Sequence, residues 1–188
     1  MRIIAGAFRG KKLFSPDSDK VRPTSDRARE ALFNILNSTL PDTWENYHLL
    51  DVFAGTGAFA LEALSRGAAS VGLIDQDTRS LQKNVKLFPS AEKRIKIFRQ
   101  DALKLGRAPQ AYDLVFMDAP YQKGLSEPAL RQLAVQGWIR PQALCLVEVE
   151  KTEQLDLPSC FKLQNERIYG LARVLFLRYE PDGVEENK

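Results

Sequence analysis

Two apolar runs in this chain stop abruptly at acidic and small residues. LLDVF at positions 49–53 leads straight into the glycine-rich AGTGAFA, and DLVFMD at 113–118 leads into Ala-Pro-Tyr. Runs of this length, apolar throughout and bounded by turn residues, read as buried strands of a parallel sheet. Ligands of an open α/β sheet bind outside the carboxyl ends of its strands, so both tips are expected to open onto one crevice. The surrounding pattern agrees. From His48 onward strand-like and helix-like segments alternate: LLDVF, a helix at 58–66, SVGLID, a helix at 77–87, IKIFR, DLVFMD, a helix at 126–136, and ALCLVEVE. That order predicts βαβ units and an α/β fold with a mostly parallel sheet. Residues 161–167 and 172–179, joined around Tyr169-Gly170, add a final antiparallel pair.

At 188 residues, 44% hydrophobic and 27% charged, the composition is that of an ordinary globular domain. The longest apolar stretches are only strand-length, and the N-terminus enters a basic segment at once, so neither a membrane span nor a secretory signal is expected. Cys145 and Cys160 lack a C-x-x-C arrangement, and His48 is the single histidine. They read as reduced thiols of a cytoplasmic protein with no metal site.

Charge is concentrated at the start. Residues 1–30 hold eight basic side chains (Arg2, Arg9, Lys11, Lys12, Lys20, Arg22, Arg27, Arg29) against four acidic ones, so that an overall charge of +3 leaves −1 for the remainder. Such a basic segment suits a phosphate backbone, whose neutralisation releases counterions; a solvated charged arm is the bland alternative. Residues 2–14, with Gly6 and Gly10, read as a short hairpin or extended arm. A helix then starts at Thr24-Ser25-Asp26, its apolar Ala28, Ala31, Leu32, Ile35 and Leu36 recurring at helical spacing until Pro41.

The glycine loop is ambiguous. Gly55-Thr56-Gly57-Ala58-Phe59-Ala60 satisfies G-x-G-x-x-A, and Asp75 lies 20 residues beyond Gly55, which meets the dinucleotide fingerprint. A dehydrogenase is therefore a rival reading. The distinguishing residue is Asp51, four positions before Gly55. A buried carboxylate there needs a donor or a cation; loop amides or the ammonium of a methionine moiety would serve, whereas a pyrophosphate would be repelled. Asp101, after IKIFRQ, is positioned either to accept an adenine amino group or to cap the turn at 102–105.

Asp118-Ala119-Pro120-Tyr121 combines an acceptor, a rigid turn and an aromatic face. An exocyclic base amine is a poor nucleophile because its lone pair is delocalised into the ring. Acceptors for its two hydrogens favour the pyramidal, reactive form, and the Asp118 carboxylate and Ala119 carbonyl are assigned that work, with Pro120 locking the turn and Tyr121 stacking on the base. Stacking is worth roughly 1–3 kcal/mol, whereas fixing reactants at attack geometry supplies about 7–11 kcal/mol. Positioning should therefore dominate.

With these residues the chain resembles the RsmD family of bacterial 16S ribosomal RNA (guanine-N2) methyltransferases, of the Rossmann-like S-adenosylmethionine-dependent class. The resemblance also rests on RIIAGAFRGKKL at 2–13, VRPTSDRAREALFNIL at 21–36, LEALSRGA at 61–68 and GWIRPQALCLVEVE at 137–150. It implies a seven-stranded sheet ending in an antiparallel pair. The chain is expected to divide into a basic hairpin-and-helix extension over residues 1–40, a methyltransferase domain over 41–182 and a frayed tail at 183–188. Carried over, Asp51, Phe53, Gly55, Thr56, Gly57, Asp75, Asp101 and Ala102 hold S-adenosylmethionine, and Asp118, Ala119, Pro120 and Tyr121 hold the guanine. Arg22, Thr24 and Arg27 would lie near the cofactor pocket or the substrate RNA, and the basic Arg2, Arg9, Lys11 and Lys12, on the charge reading above, are expected to face the RNA. The resemblance further implies action on 16S rRNA within the 30S subunit or its assembly intermediate; a monomer is expected. One departure stands out: the family's [N/D]-P-P-[Y/F/W] motif carries Ala119 here in place of its first proline, which keeps the carbonyl and frees one φ. From the residues alone the motif means only "exocyclic amine", so an adenine-N6 methyltransferase and a non-catalytic RNA-binding assembly factor stay open.

Overall fold

Strands β1 (His48–Val52) and β2 (Ser70–Asp75) are almost wholly buried and mainly apolar, with Asp51 the buried exception, as strands covered on both sides of a parallel sheet tend to be. In this computed structural model, which describes residues 1–15 and 26–181, the two pair in parallel, and β3 (Ile95–Arg99) extends the pairing on the far side of β2. The register sets Asp51 beside Leu73 and Asp75 beside Arg99. β4 (Tyr112–Asp118) pairs in parallel with β5 (Ile139–Glu150), whereas β7 (Ala172–Tyr179) runs antiparallel to both β5 and β6 (Phe161–Tyr169). The whole is a seven-stranded, mostly parallel sheet in the order β3-β2-β1-β4-β5-β7-β6, with the antiparallel C-terminal pair that the sequence predicts. The tail expected at 183–188 lies outside the described residues.

The chain comprises two compact units, Met1–Arg99 and Gln100–Lys188. In the first, helix α1 (Asp26–Thr39) buries Leu32, Phe33 and Leu36, and α3 (Arg79–Val85) buries Leu81 and Asn84. Helix α2 (Ala58–Ser65) packs on β1 and β2. Unlike an ordinary surface helix, which keeps a polar face, it buries all eight of its residues, Glu62 and Ser65 included. Its outer face is covered by the N-terminal arm. A single antiparallel bridge between Arg2 and Lys12 closes that arm into a hairpin, tightened by Gly10 N donating to the Ile3 carbonyl at 2.9 Å.

Helix α4 (Ser126–Val135) of the second unit packs against β5. The strand expected at 143–150 begins four residues earlier, at Ile139. Pro141 and an exposed bulge concealed its start: Tyr112 pairs with Ile139 but Leu114 with Leu144, and Gln142 adopts φ +64°, a conformation uncommon for a residue with a Cβ. Both cysteines are free, and burial pushes the Cys145 thiol far up from its ordinary value. Among the described residues no helix is long and apolar enough to cross a membrane, and no group of three or more His, Cys, Asp or Glu side chains is arranged to hold a metal ion.

Two glycines of the arm make a controlled pair. A Cβ on Gly6 (φ +81°) would fall 1.8 Å from the Ser65 carbonyl oxygen, whereas a Cβ on Gly10 (φ +84°) meets nothing within 4 Å. Gly10→Ala should therefore cost only the left-handed backbone strain, about 1–2 kcal/mol. Gly6→Ala should cost a further 1–3 kcal/mol or so from overpacking, and should expose the arm to protease, as read by urea unfolding and limited proteolysis.

Candidate functional site

At the tip of β1 the chain must turn sharply into α2, and its backbone shows how. Phe53 takes φ +60°, Gly55 +56° and Gly57 +76°; the two glycines enter the left-handed region freely, while Phe53 does so at a cost typical of functional turns. A Cβ on Gly57 would press to 2.8 Å on both Leu73 and Leu81, so this position is closed by packing. Gly55 is different. It is exposed, and a Cβ there would meet only the Phe53 carbonyl at 3.9 Å, leaving a bare backbone surface for a ligand to approach.

Two of the predicted carboxylates frame this loop. Asp51 is 2% exposed, and its Oδ2 accepts the Ala60 amide at 3.2 Å. That donor belongs to the first turn of α2, whose unpaired amides and dipole favour an anion. Asp75, half-buried at the tip of β2, accepts Gly55 N through Oδ2 and Asp77 N through Oδ1, both at 2.8 Å. It thereby joins the glycine loop to the start of the next helix. Beside it the exposed Arg79 guanidinium, hydrogen-bonded to Asp77, holds that carboxyl down at about 2. The Asp77–Arg79 turn also accounts for α3 beginning at 79 rather than at the expected 77, since Asp77 Oδ1 accepts the Arg79 amide at 3.1 Å.

Four buried polar residues hold the arm, and one of them, Asn84, also reaches this loop. The fully buried Glu62 accepts the amides of Ile4 (2.7 Å) and Ala5 (3.0 Å) and the Arg66 guanidinium (2.8 Å). Ser65 donates to the Ala5 carbonyl at 2.6 Å and accepts the Phe8 amide at 2.9 Å. Asn84, also fully buried, accepts Phe14 N at 2.7 Å and donates to the carbonyls of Phe14 (3.1 Å) and of Thr56, in the middle of the glycine loop (2.8 Å). Arg29 of the RPT-x-D-R-x-R-E stretch is 1% exposed and donates to the Arg2 carbonyl at 2.6 Å and to Asp26 at 3.0 Å. Only the acid of LEAL, in an otherwise apolar helix, hinted at such a role; nothing local marked Asn84 or Arg29.

The predicted basic residues divide. Arg2, Arg9, Lys12 and Arg27 are exposed. Lys11 instead donates to the Leu87 carbonyl and lies 5.1 Å from the Phe88 ring centre and 5.5 Å from that of Phe8, so its charge is spent on docking the arm. Arg22 and Thr24 lie outside the described residues.

In the second unit Asp101 accepts Leu103 N on Oδ1 at 2.9 Å while its carbonyl accepts Lys104 N at 2.9 Å, the turn cap that the sequence left open. Ala102 is buried. Asp118 ends β4 half-buried, Ala119 is buried, Pro120 is exposed and Tyr121 stands 37% exposed. The Tyr121 hydroxyl donates to Glu148 Oε1 at 2.7 Å, and Gln122, at φ +58°, donates its side-chain amide to Glu150 at 2.7 Å and its backbone amide to Glu153 at 3.2 Å. These three carboxylates were not foreseen as part of the site.

The chain matches the family described as conserved hypothetical protein 95 over residues 1–178. It is 37% identical over 191 residues to ribosomal RNA small subunit methyltransferase D of Escherichia coli K12, covering 99% of this chain and 93% of that protein. With the same-named protein of Haemophilus influenzae it shares 36% identity over 177 residues, 91% of this chain and 90% of the relative. The solved structure of yhhF from Escherichia coli superposes with a TM-score of 0.80 at 34% identity, covering 96% of this chain and 98% of that one.

Asn84 links arm and loop, and that link is open to test. Asn84→Ala removes the partner of the Thr56 and Phe14 carbonyls and of the Phe14 amide; because Phe14 is exposed and Thr56 half-buried, the cost per group should fall below the roughly 1–3 kcal/mol of a fully buried unpaired one. Hydrogen–deuterium exchange should accelerate together at 13–15 and 54–57; acceleration in the arm alone would break the link.

Proposed function

We propose that this chain, which belongs to the family of the ribosomal RNA small subunit methyltransferases D, transfers a methyl group from S-adenosylmethionine to the exocyclic N2 of a guanine in 16S rRNA, acting on the 30S subunit or its assembly intermediate. Family membership sets aside the dehydrogenase that the G-x-G-x-x-A loop alone left open. The observation that carries the reading is the tip of β4. There a half-buried carboxylate is followed by a buried alanine, a proline and an aromatic ring still partly open to solvent, the set of groups that an exocyclic base amine requires.

The residues of the glycine loop fit the cofactor. Gly55 offers bare, exposed backbone beside the Asp75 carboxylate, suited to a ribose with two hydroxyls. Asp51 and the α2 amide set the polarity of the pocket floor. Phe53, Thr56, Gly57, Asp101 and Ala102 complete the assignment, with Asp101 acting through its turn. S-adenosylmethionine, when bound, supplies the electrophilic methyl. The work of this chain's own residues is to present the amine. Asp118 and the Ala119 carbonyl accept its two hydrogens and favour the pyramidal nitrogen, and Asp118 takes up the proton released as the N–C bond forms. Arg2, Arg9, Lys12 and Arg27 meet the RNA backbone; Arg22 and Thr24 are proposed to do so as well, with Lys11 supporting the arm from beneath.

Labelled-methyl incorporation into undermethylated 30S particles, compared with free rRNA and duplex DNA, tests the assignment directly. Label at a guanine of the particle supports it; label in DNA alone overturns the substrate, and no label despite cofactor binding favours a non-catalytic assembly factor. Asp118→Ala should leave S-adenosylhomocysteine affinity within about threefold, yet lower kcat by about 100-fold or more through lost amine positioning; a large loss of affinity would move Asp118 to the cofactor. The triple variant Arg2→Ala, Arg9→Ala, Lys12→Ala should weaken particle binding and reduce the slope of log K against log salt by about 0.7–0.9 per lost phosphate contact. A loss independent of salt would contradict the arm's electrostatic role.

A further inference from the structure

Glu148 is the parallel register partner of Asp118 across β4 and β5 and is 4% exposed. A glutamate so deeply placed is rare unless partnered, and here its Oε1 accepts the hydroxyl of Tyr121, a residue that itself remains 37% exposed. The next residue is held from the same side of the turn. Gln122, in a left-handed conformation, is bound by Glu150 through its side chain and by Glu153 through its backbone amide. A turn with one proline rather than two is thus fastened by three carboxylates lying at and just beyond the end of β5.

We propose that Glu148 is a positioning residue for the target base: by accepting the Tyr121 hydroxyl it fixes the ring against which the base is held, supplying the rigidity that Ala119 does not. This rests on the reading that Tyr121 lies against the base. An exposed tyrosine otherwise turns about two side-chain torsions, and ordering it during binding subtracts from the stacking free energy. A charge-assisted O–H···O⁻ bond to an immobile, buried acceptor removes that cost beforehand. Glu148 acts through Tyr121, so its loss should fall on substrate KM and leave the cofactor's affinity alone.

The experiment measures kcat and KM for undermethylated 30S particles, and S-adenosylhomocysteine affinity by calorimetry, in Tyr121→Phe, Tyr121→Ala, Glu148→Gln, Glu148→Ala and the double variant Tyr121→Phe, Glu148→Ala. Tyr121→Phe and Glu148→Ala should each raise KM roughly tenfold, about the worth of one hydrogen bond to a charged group, with cofactor-product affinity within about twofold. The double variant should be no worse than the weaker single, and Glu148→Gln, whose amide oxygen still accepts the hydroxyl, should recover most of the loss. Additive effects, or an unchanged KM in Tyr121→Phe, would overturn the proposal. Tyr121→Phe sits on an exposed side chain, so this arm does not depend on how Glu148 variants fold. If Tyr121→Ala raises KM while Tyr121→Phe does not, the positioning role fails and the base contact stands. If Tyr121→Ala leaves KM unchanged, the base contact itself is wrong.

Discussion

A carboxylate with no exposed surface, Glu62, organises the first compact unit. Burying such a charge is costly unless donors surround it, and here the donors are two amides of the arm and the Arg66 guanidinium. The arm is therefore the counterpart that makes an acid inside α2 tolerable, and α2 in turn can be buried on every side. The amide of Ala60 is then free of solvent competition and serves Asp51. Remove the arm, and Glu62 would keep only Arg66, Ser65 would lose both of its arm partners, and Asn84 would be left with the Thr56 carbonyl alone.

Both units solve one problem in the same way. A loop at the end of a parallel strand must take unusual backbone angles without flexing, and in each case a carboxylate on the neighbouring strand captures it. Asp75 on β2 accepts Gly55 N in the loop after β1, and Glu148 on β5 accepts the Tyr121 hydroxyl in the loop after β4. Parallel pairing brings this about. Strands that run together end together, so the tip of one lies beside the start of its neighbour's loop.

Much of this was legible in the sequence because the signals were local and redundant. The β1 run, the glycine pattern and the 20-residue spacing to Asp75 each point to the same loop, and the antiparallel ending follows from two adjacent strand-like runs joined around Tyr169-Gly170. What stayed hidden was long-range polar pairing. Nothing near Asn84 says that it will reach Phe14, 70 positions away, or that Glu148 will meet a tyrosine 27 residues earlier. A strand start obscured by Pro141 was missed for the opposite reason. Local chemistry argued against a strand while pairing with Tyr112 imposed one.

The basic arm shows why a charge count overstates an electrostatic surface. Formal charge treats Lys11 and Arg29 as equal to Arg9, yet Lys11 is drawn onto a carbonyl between two aromatic rings and Arg29 is sealed beneath the Arg2 backbone. Each stabilises the hairpin by desolvated contacts that bulk salt barely screens, whereas exposed charges more than a Debye length apart, about 8–10 Å at ordinary ionic strength, are screened strongly. The same run of basic residues thus divides into a salt-insensitive part that builds the arm and a salt-sensitive part that the arm displays. The first must be in place for the second to have a fixed arrangement, and it is the arrangement, rather than the number of positive residues, that a particular fold of RNA backbone can recognise.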